Sequence, residues 1–313
     1  MAGLEITPFT DAHLDDAAGL LAARHARHRE AEPLLPELAD PRAAVESEWR
    51  TEGANGVFAT RSGKPAAYLI ASPFVIGSAP VWMRANIAGQ AIEGDRETMR
   101  DLYAAAAQRW MDDGLTRHAV FVPSHDAELL DAWFRLSFGA SSYLAMRETR
   151  PDGEERFDAD VEIRPGTRED LEDAARLELE MSKAMVPSPS FSTVPLQPYE
   201  EVLAEWRDED DAPYELFVAE RNGRVVGHIL LYRRPPDLRV PQESIDLAQA
   251  STEPEARGTG VGRTLTAHVI RWAHEHGHPV MTTDWRVTNL WASRFWPRRG
   301  FRPSFIRLYR SIP

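Results

Sequence analysis

The residues with most chemistry to offer lie between 243 and 296. Glycines at 258, 260 and 262 separate an apolar run, Ser244 to Thr252, from an amphipathic stretch, Thr264 to His276. The first reads as a strand and the second as a helix, with Leu265, Val269, Trp272 and Ala273 on one face. Glycines turn tightly and remove side chains that would keep a ligand from the backbone. The amides of Gly258, Thr259, Gly260, Val261, Gly262 and Arg263, with Thr264 behind them, then gather at a helix N-terminus. Unsatisfied donors and the positive dipole end favour a phosphate there, and a pyrophosphate is the expected guest. Just upstream stand two carboxylates, Glu243 and Asp246. Asp246 lies inside the apolar run, where a charge is costly unless it is partnered or functional. It is the first candidate for a base, with Glu243 as fallback; a salt bridge or cap is the plain alternative.

Three liganded readings of the glycine turn compete with a plain surface turn. A dinucleotide fold needs G-x-G-x-x-G and an acid about 20 residues on; here the spacing is G-x-G-x-G. A nucleoside triphosphate loop needs a lysine after its last glycine, and Arg263 follows Gly262. The third reading is R-x-x-G-x-G, filled by Arg257, Gly260 and Gly262. It resembles the coenzyme A signature of the GNAT family of N-acetyltransferases. A second motif adds to it. After a short strand, Pro279 to Asp284, comes Asn289-Leu290-Trp291-Ala292-Ser293-Arg294-Phe295-Trp296-Pro297-Arg298-Arg299-Gly300-Phe301. The last helix of the family is similar to this, with Asn289, Ala292, Phe295, Gly300 and Phe301 in register.

The resemblance implies an α/β fold of two tandem GNAT-like units, each a mixed, mostly antiparallel sheet flanked by helices. It also implies acetyl transfer from acetyl-CoA to an amine of a small molecule or peptide, by direct attack in a ternary complex. The pantetheine arm would lie in a slot beside Ala250, Ser251 and Thr252, whose backbone pairs with it as an added strand would and supplies an oxyanion donor. Asn289 would complete the slot, with a helix N-cap as its alternative role. Ser293 and Trp296 belong to the same wall. The family often places a tyrosine acid where this chain has Trp296, and an indole has no proton to give near neutral pH. Ser293, Tyr309, water or no acid at all serves that step. A coenzyme A-binding module without turnover, or an enzyme using another acyl group or a specialised-metabolite acceptor, are the alternatives.

A chain of 313 residues exceeds one such domain and fits two. The chain repeats itself. Leu4-Glu5-Ile6-Thr7-Pro8 parallels Val161-Glu162-Ile163-Arg164-Pro165, and Thr10, Leu14, Asp16, Ala17, Ala18 and Leu20 match Thr167, Leu171, Asp173, Ala174, Ala175 and Leu177. Ser62-Gly63 parallels Asn222-Gly223, a hairpin signal. The expected division is a degenerate domain over 1–149, a polar linker over 150–160 and the coenzyme-binding domain over 161–313. In the first half the phosphate turn falls near Ile92 to Met99, where Glu93, Asp95 and Glu97 oppose an anion, and Glu128 stands where Asn289 would. That half is expected not to bind coenzyme A.

The remaining features bound the function. A net charge of −13 repels nucleic acid. No apolar run reaches the roughly 18 residues of a membrane span, and the N-terminus lacks a secretory layout. With no cysteine, thiol chemistry is excluded, and a cytoplasmic location is expected. His274, His276 and His278 do not fall on one helix face, so no metal is expected. Arg298 and Arg299 are candidates for the adenosine 3′-phosphate. The proline-rich run from Met185 to Tyr199 is the expected acceptor loop, with Met181, Met185, Phe191 and Tyr199 lining the pocket.

Overall fold

Two threonines open the two halves in the same way. In the computed structural model, which describes residues 3–75, 81–150, 160–192, 194–208 and 214–313, Thr10 and Thr167 each begin a short 3-10 turn through a reciprocal capping box. The Thr10 amide donates to His13 Nδ1 at 3.0 Å, and the Thr167 amide to Asp170 Oδ2 at 2.7 Å. Each box satisfies orphan donors at the start of the helix that follows. The expected linker lies outside the described residues from 151 to 159.

The first compact unit comprises Met1–Leu144 with Asp237–Arg239 and Pro303–Pro313; the second comprises Ala145–Pro236 with Val240–Arg302. In the first, β1 (Leu4–Pro8), α1 (Leu14–Ala31), α2 (Pro41–Trp49), β2 (Asn55–Arg61), β3 (Lys64–Phe74), β4 (Trp82–Ala85) and β5 (Gln90–Ile92) come first. They are followed by α3 (Glu97–Asp112), β6 (Arg117–Pro123), α4 (Ala127–Phe134) and, as far as Leu144, β7 (Gly139–Glu148). The second holds β8 (Glu162–Pro165), α5 (Leu171–Ala184), α6 (Tyr199–Asp208), β9 (Tyr214–Arg221), β10 (Arg224–Tyr232), β11 (Ile245–Thr252), α7 (Val261–Glu275), β12 (Val280–Arg286) and α8 (Leu290–Phe295). The last strand, β13 (Arg302–Ser311), pairs antiparallel with β6 from Phe305↔Pro123 to Ser311↔Arg117. It therefore falls in the first unit, although the sequence gives it to residues 161–313. Strand alternation is the same whichever sheet a strand joins, so the sequence does not reveal the destination.

Each unit is a mixed, mostly antiparallel sheet flanked by helices. In the second, β8, β9, β10 and β11 pair antiparallel in turn, and β11 pairs parallel with β12. The β9–β10 hairpin turns at Asn222 (φ 53°) and Gly223 (φ 76°), the two positive values that a type I′ turn needs. Helices α5 and α6 cover one face through Leu171, Leu177, Val202, Leu203 and Trp206, against Val218 and Leu230. Helix α7 covers the other, since a Cβ on Gly227 would meet Leu265 and Val261.

Two irregularities in β11 position the site. Its register against β10 slips between Leu230↔Gln249 and Leu231↔Leu247, leaving Ala248 as a bulge. Its pairing with β12 spans only Ile245↔Met281, Asp246↔Thr282 and Leu247↔Thr283. Beyond Leu247 the strands part, and Ala250 to Thr252 pair with β10 alone among the described strands. The parted edge is a ready template for an extended ligand.

Candidate functional site

A cavity of about 810 Å³ opens at that parting, entirely within the second unit. Ala250, Ser251 and Thr252 of β11 line it together with Arg257, Gly258, Thr259, Gly260, Gly262 and Arg263 of the glycine turn and Asn289 and Trp296 of the last helix and its end. These expected coenzyme residues come together as one surface. Val261, Thr264 and Ser293 do not line it. Val261 is buried, Thr264 donates its hydroxyl to the Gly260 carbonyl at 3.2 Å, and Ser293 donates to the Val287 carbonyl at 2.9 Å.

The glycine turn takes the shape its residues dictate. Gly258 (φ 77°) and Gly260 (φ 103°) occupy left-handed conformations, and Gly260 is the N-cap of α7. A side chain at either would be strained. Thr264 donates its amide to the Gly260 carbonyl at 2.9 Å, whereas no backbone carbonyl takes the amides of Val261, Gly262 or Arg263 among the described residues. Three open amides at the head of a 15-residue helix form an anion cradle. Arg257, Arg263, Arg294, Arg298 and Arg299 also line the cavity, with no carboxylate among its lining residues. Arg257 is held by its Nε bond to the Thr252 carbonyl at 3.2 Å and lies over the Trp291 ring at 4.6 Å. A surface so charged suits a polyphosphate despite the acidic chain as a whole.

Asn289 caps α8, its Oδ1 accepting the Ala292 amide at 3.1 Å, and it lines the cavity as well. Trp296 is buried and packs edge-on against Phe295 and Phe301, with centroids 4.9 and 5.4 Å apart. It forms a fixed apolar wall. Tyr309 belongs to the first unit and packs on Trp82 at 6.1 Å; it does not line the cavity.

The two expected bases lie off the cavity. Glu243 is exposed and left-handed (φ 62°), ahead of the strand. Asp246 is buried on β11, accepting from Arg234 Nε at 2.8 Å and from Thr282 Oγ1 at 2.6 Å. Burial raises its pKa above the usual carboxylate value, and Arg234 and Thr282 only partly oppose this. Asp246 stands opposite Tyr232 on β10, and by strand alternation Tyr232 and His228 share a sheet face.

The sequence passes over His228, which lines the cavity and is fully buried. Its Nε2 meets Gln249 Oε1 at 2.9 Å, and its ring stands edge-on to Trp206 at 5.8 Å. Burial pushes its pKa down to about 4, against a smaller upward pull from Gln249. On the same face Met181 and Ala184 of α5 reach the cavity, so it passes through the parting from the α7 side to the α5 side. Met185, Phe191 and Tyr199, expected with Met181, do not line it. Two of the three clustered histidines have structural partners: His276 Nδ1 donates to the Trp272 carbonyl at 2.7 Å, and His278 Nδ1 to the Glu243 carbonyl at 2.8 Å. Among the described residues no three His, Cys, Asp or Glu side chains group as metal ligands, and no helix is long and apolar enough to cross a membrane.

The first unit closes the corresponding space. There the long strand is broken into β4 and β5, both pairing with β3, and β4 pairs parallel with β6 over three residues as β11 does with β12. Matching registers set Tyr68 against His228 and Gln90 against Ala250. Gln90 Nε2 donates to the Phe121 carbonyl of β6 at 2.6 Å. Arg24, in the place of Met181 on the repeat offset, donates to the Ile87 carbonyl at 2.8 Å and the Gln90 carbonyl at 2.5 Å. The helix head is closed too: Asp95 Oδ1 accepts the Glu97 amide at 3.0 Å, and Arg27 pairs with Glu93 at 2.8 Å. The residue capping α4 is Asp126, not Glu128.

Residues 180–301 match the acetyltransferase (GNAT) family, so the second half carries a domain of that family. The fold extends the likeness to nearly the whole chain. A GCN5-related N-acetyltransferase from Sphaerobacter thermophilus superposes with a TM-score of 0.60 at 14% identity, covering 98% of this chain and 95% of that one. A tandem GNAT protein from the clavulanic acid biosynthesis pathway gives 0.52 at 14% identity, with 98% of each chain covered. A glucosamine N-acetyltransferase region of a fungal multi-domain β-N-acetylglucosaminidase gives 0.56 at 14% identity, covering 99% of this chain and 38% of that one. No curated protein matches the sequence.

Proposed function

We propose that the chain is an acyl-CoA-dependent N-acyltransferase, with acetyl-CoA as donor and the amine of a small molecule as acceptor, working in the second unit. The observation that carries this reading is the coincidence of the open amides of α7 with the parted β11 edge in one cavity. The turn from Arg257 to Arg263 would hold the pyrophosphate. The edge from Ala250 to Thr252 would pair with the pantetheine amides and point the thioester at the bulge beside Ala248. Arg298 and Arg299 remain the candidates for the 3′-phosphate.

Transfer then proceeds by direct attack. The neutral amine nitrogen adds to the thioester carbonyl carbon, forming a C–N bond, while a backbone N–H of β11 steadies the oxyanion. The adduct loses one N–H proton to a base, the C–S bond breaks, and the thiolate leaves. Asp246 remains the candidate base, acting through water because it does not line the cavity, and burial raises its proton affinity above that of an ordinary carboxylate. Arg234 and Thr282 fix its orientation. Trp296 keeps water from the thioester and donates no proton. Free-thiol release from acetyl-CoA across a panel of amines tests the reading. Steady release with one class of amine is expected, and coenzyme A binding without release from any acyl-CoA would leave a binding module instead.

A further inference from the structure

Two tryptophans, on the last helix and at its end, line the cavity, and they differ in exposure. Trp296 is buried, whereas Trp291 is 61% exposed. Among the described residues, Trp291 is the one large exposed apolar side chain that lines the cavity. A wide, flat ring open to water is a surface that a planar partner would cover. Single exposed apolar residues are common on proteins and mean little by themselves. Trp291 differs in what stands on either side of it.

On one side is Arg257, whose Nε donates to the Thr252 carbonyl at 3.2 Å and whose guanidinium lies over the Trp291 ring at 4.6 Å. Arg257 immediately precedes the glycine turn, so the ring stands one arginine side chain away from the turn. A ribose bridges a similar gap between a pyrophosphate and its base. The cation takes one face of the indole, and the exposure leaves room on the other. On the other side is the inner end of the cavity, with the parted β11 edge and the buried Trp296. Phe295, also on this helix, is already covered by Trp296 and by Arg299, at 4.9 and 5.0 Å. Coenzyme A has two arms on its pyrophosphate, a flexible pantetheine and an adenosine with a flat base. With the pantetheine on the parted edge, the base is left to the outer end, where Trp291 is the open aromatic surface.

We propose that Trp291 stacks on the adenine of the donor, and that this contact selects nucleotide-bearing acyl thioesters over acyl groups carried on phosphopantetheine alone. This rests on the coenzyme A reading above. Base–aromatic stacking needs only a π-face on each partner, which an adenine and an indole both supply. Arg257 acts as a positioning residue: by holding the indole it reduces the freedom lost when the base arrives. The open amides of α7 would bind any phosphopantetheine. Trp291 would respond only to a donor with a base.

Calorimetry on the full chain with coenzyme A, dephospho-coenzyme A and 4′-phosphopantetheine, by direct titration or displacement, separates these contacts without turnover. Trp291→Ala should weaken coenzyme A roughly 10- to 100-fold, the range for one base stacked on one aromatic ring. Dephospho-coenzyme A should weaken by the same factor, because the 3′-phosphate takes no part. The affinity for 4′-phosphopantetheine should stay within about twofold. Trp291→Phe should retain most of the coenzyme A affinity, and Trp291→Leu, apolar without a π-face, should not. The side chain is exposed, so the variants are expected to fold, and thermal melts check this. Unchanged coenzyme A affinity in a folded Trp291→Ala would overturn the assignment. An equal loss for all three ligands would also overturn it, by making Trp291 a support for Arg257 and the cradle. Either result leaves the coenzyme A reading standing. A wild type that binds none of the three would overturn that reading and this one together.

Discussion

Gln90 crosses the parting of the first unit's sheet, donating from Nε2 to the Phe121 carbonyl at 2.6 Å. Trp133 Nε1 donates to its Oε1 at 3.3 Å, which holds the amide in place. In the second unit the matching residue is Ala250, too short to cross, and the parting is open. One side chain thus supplies internally what an extended ligand would supply at the other site. Arg24 adds to it by occupying the Gln90 carbonyl.

Calorimetry should therefore find one coenzyme A per chain. Gly260→Glu should lower affinity at least about 100-fold, because it forces a side chain into a left-handed position and sets a carboxylate at the phosphate cradle. Gln90→Ala should leave both stoichiometry and affinity unchanged, since the first unit's helix head stays capped by Asp95. Two equivalent sites in the wild type would refute this.

How much of this was legible beforehand differs from residue to residue. The glycine turn was, because left-handed conformations and open amides follow from residue type and local order. So were the repeated hairpins at Ser62-Gly63 and Asn222-Gly223, whose positive φ values follow from the same local rules. His228 was not. It sits in the run Val225 to Tyr232 and reads as one more core position. Its meaning depends on Gln249, 21 residues away, and on Trp206 from a helix packed above. Arg24 was equally hidden, since its carbonyl partners lie 63 and 66 residues on. The partner of Asp246 was open in sequence, and only the fold supplies Arg234 and Thr282. Long-range pairing carries no local signature.

Asp246→Asn should lower kcat/KM roughly 10²- to 10⁴-fold on the proposed role. The wild-type rate should fall as pH drops through the raised Asp246 pKa, because only the ionised carboxylate accepts a proton. The variant should lack that acidic limb. Glu243→Gln should retain it, since Glu243 is exposed and outside the strand. Identical profiles for wild type and Asp246→Asn would remove Asp246 from the mechanism.

Trp296 should act through shape alone. Trp296→Phe should keep most activity, because an aromatic wall against Phe295 and Phe301 survives. Trp296→Ala opens a void beside the thioester and should be at least about tenfold slower. Trp296→Tyr should be no slower than wild type, with a hydroxyl that can donate to the leaving thiolate. A folded Phe variant with normal coenzyme affinity and no activity would contradict the wall and require a specific indole N–H contact.

The cap at the start of the second unit should make that unit acid-sensitive. Arg164 binds Asp170 through both terminal nitrogens, at 2.7 and 2.8 Å, and the Thr167 amide adds a third bond. The guanidinium first, then Thr167, hold the Asp170 pKa below the usual carboxylate value against the cost of burial. A depressed folded-state pKa means stability present above the unfolded value, about 3.9, and lost as pH falls through the lower folded one. Asp170→Asn should therefore cost on the order of 2 kcal/mol at pH 7, discounted for the partly exposed arginine. The gap between variant and wild type should narrow below about pH 4, because the wild type alone loses this contribution there. Urea melts followed by intrinsic fluorescence, run from pH 7 to pH 3, would read it. A gap that stays constant across that range would show that the capping bonds, rather than the carboxylate charge, carry the effect.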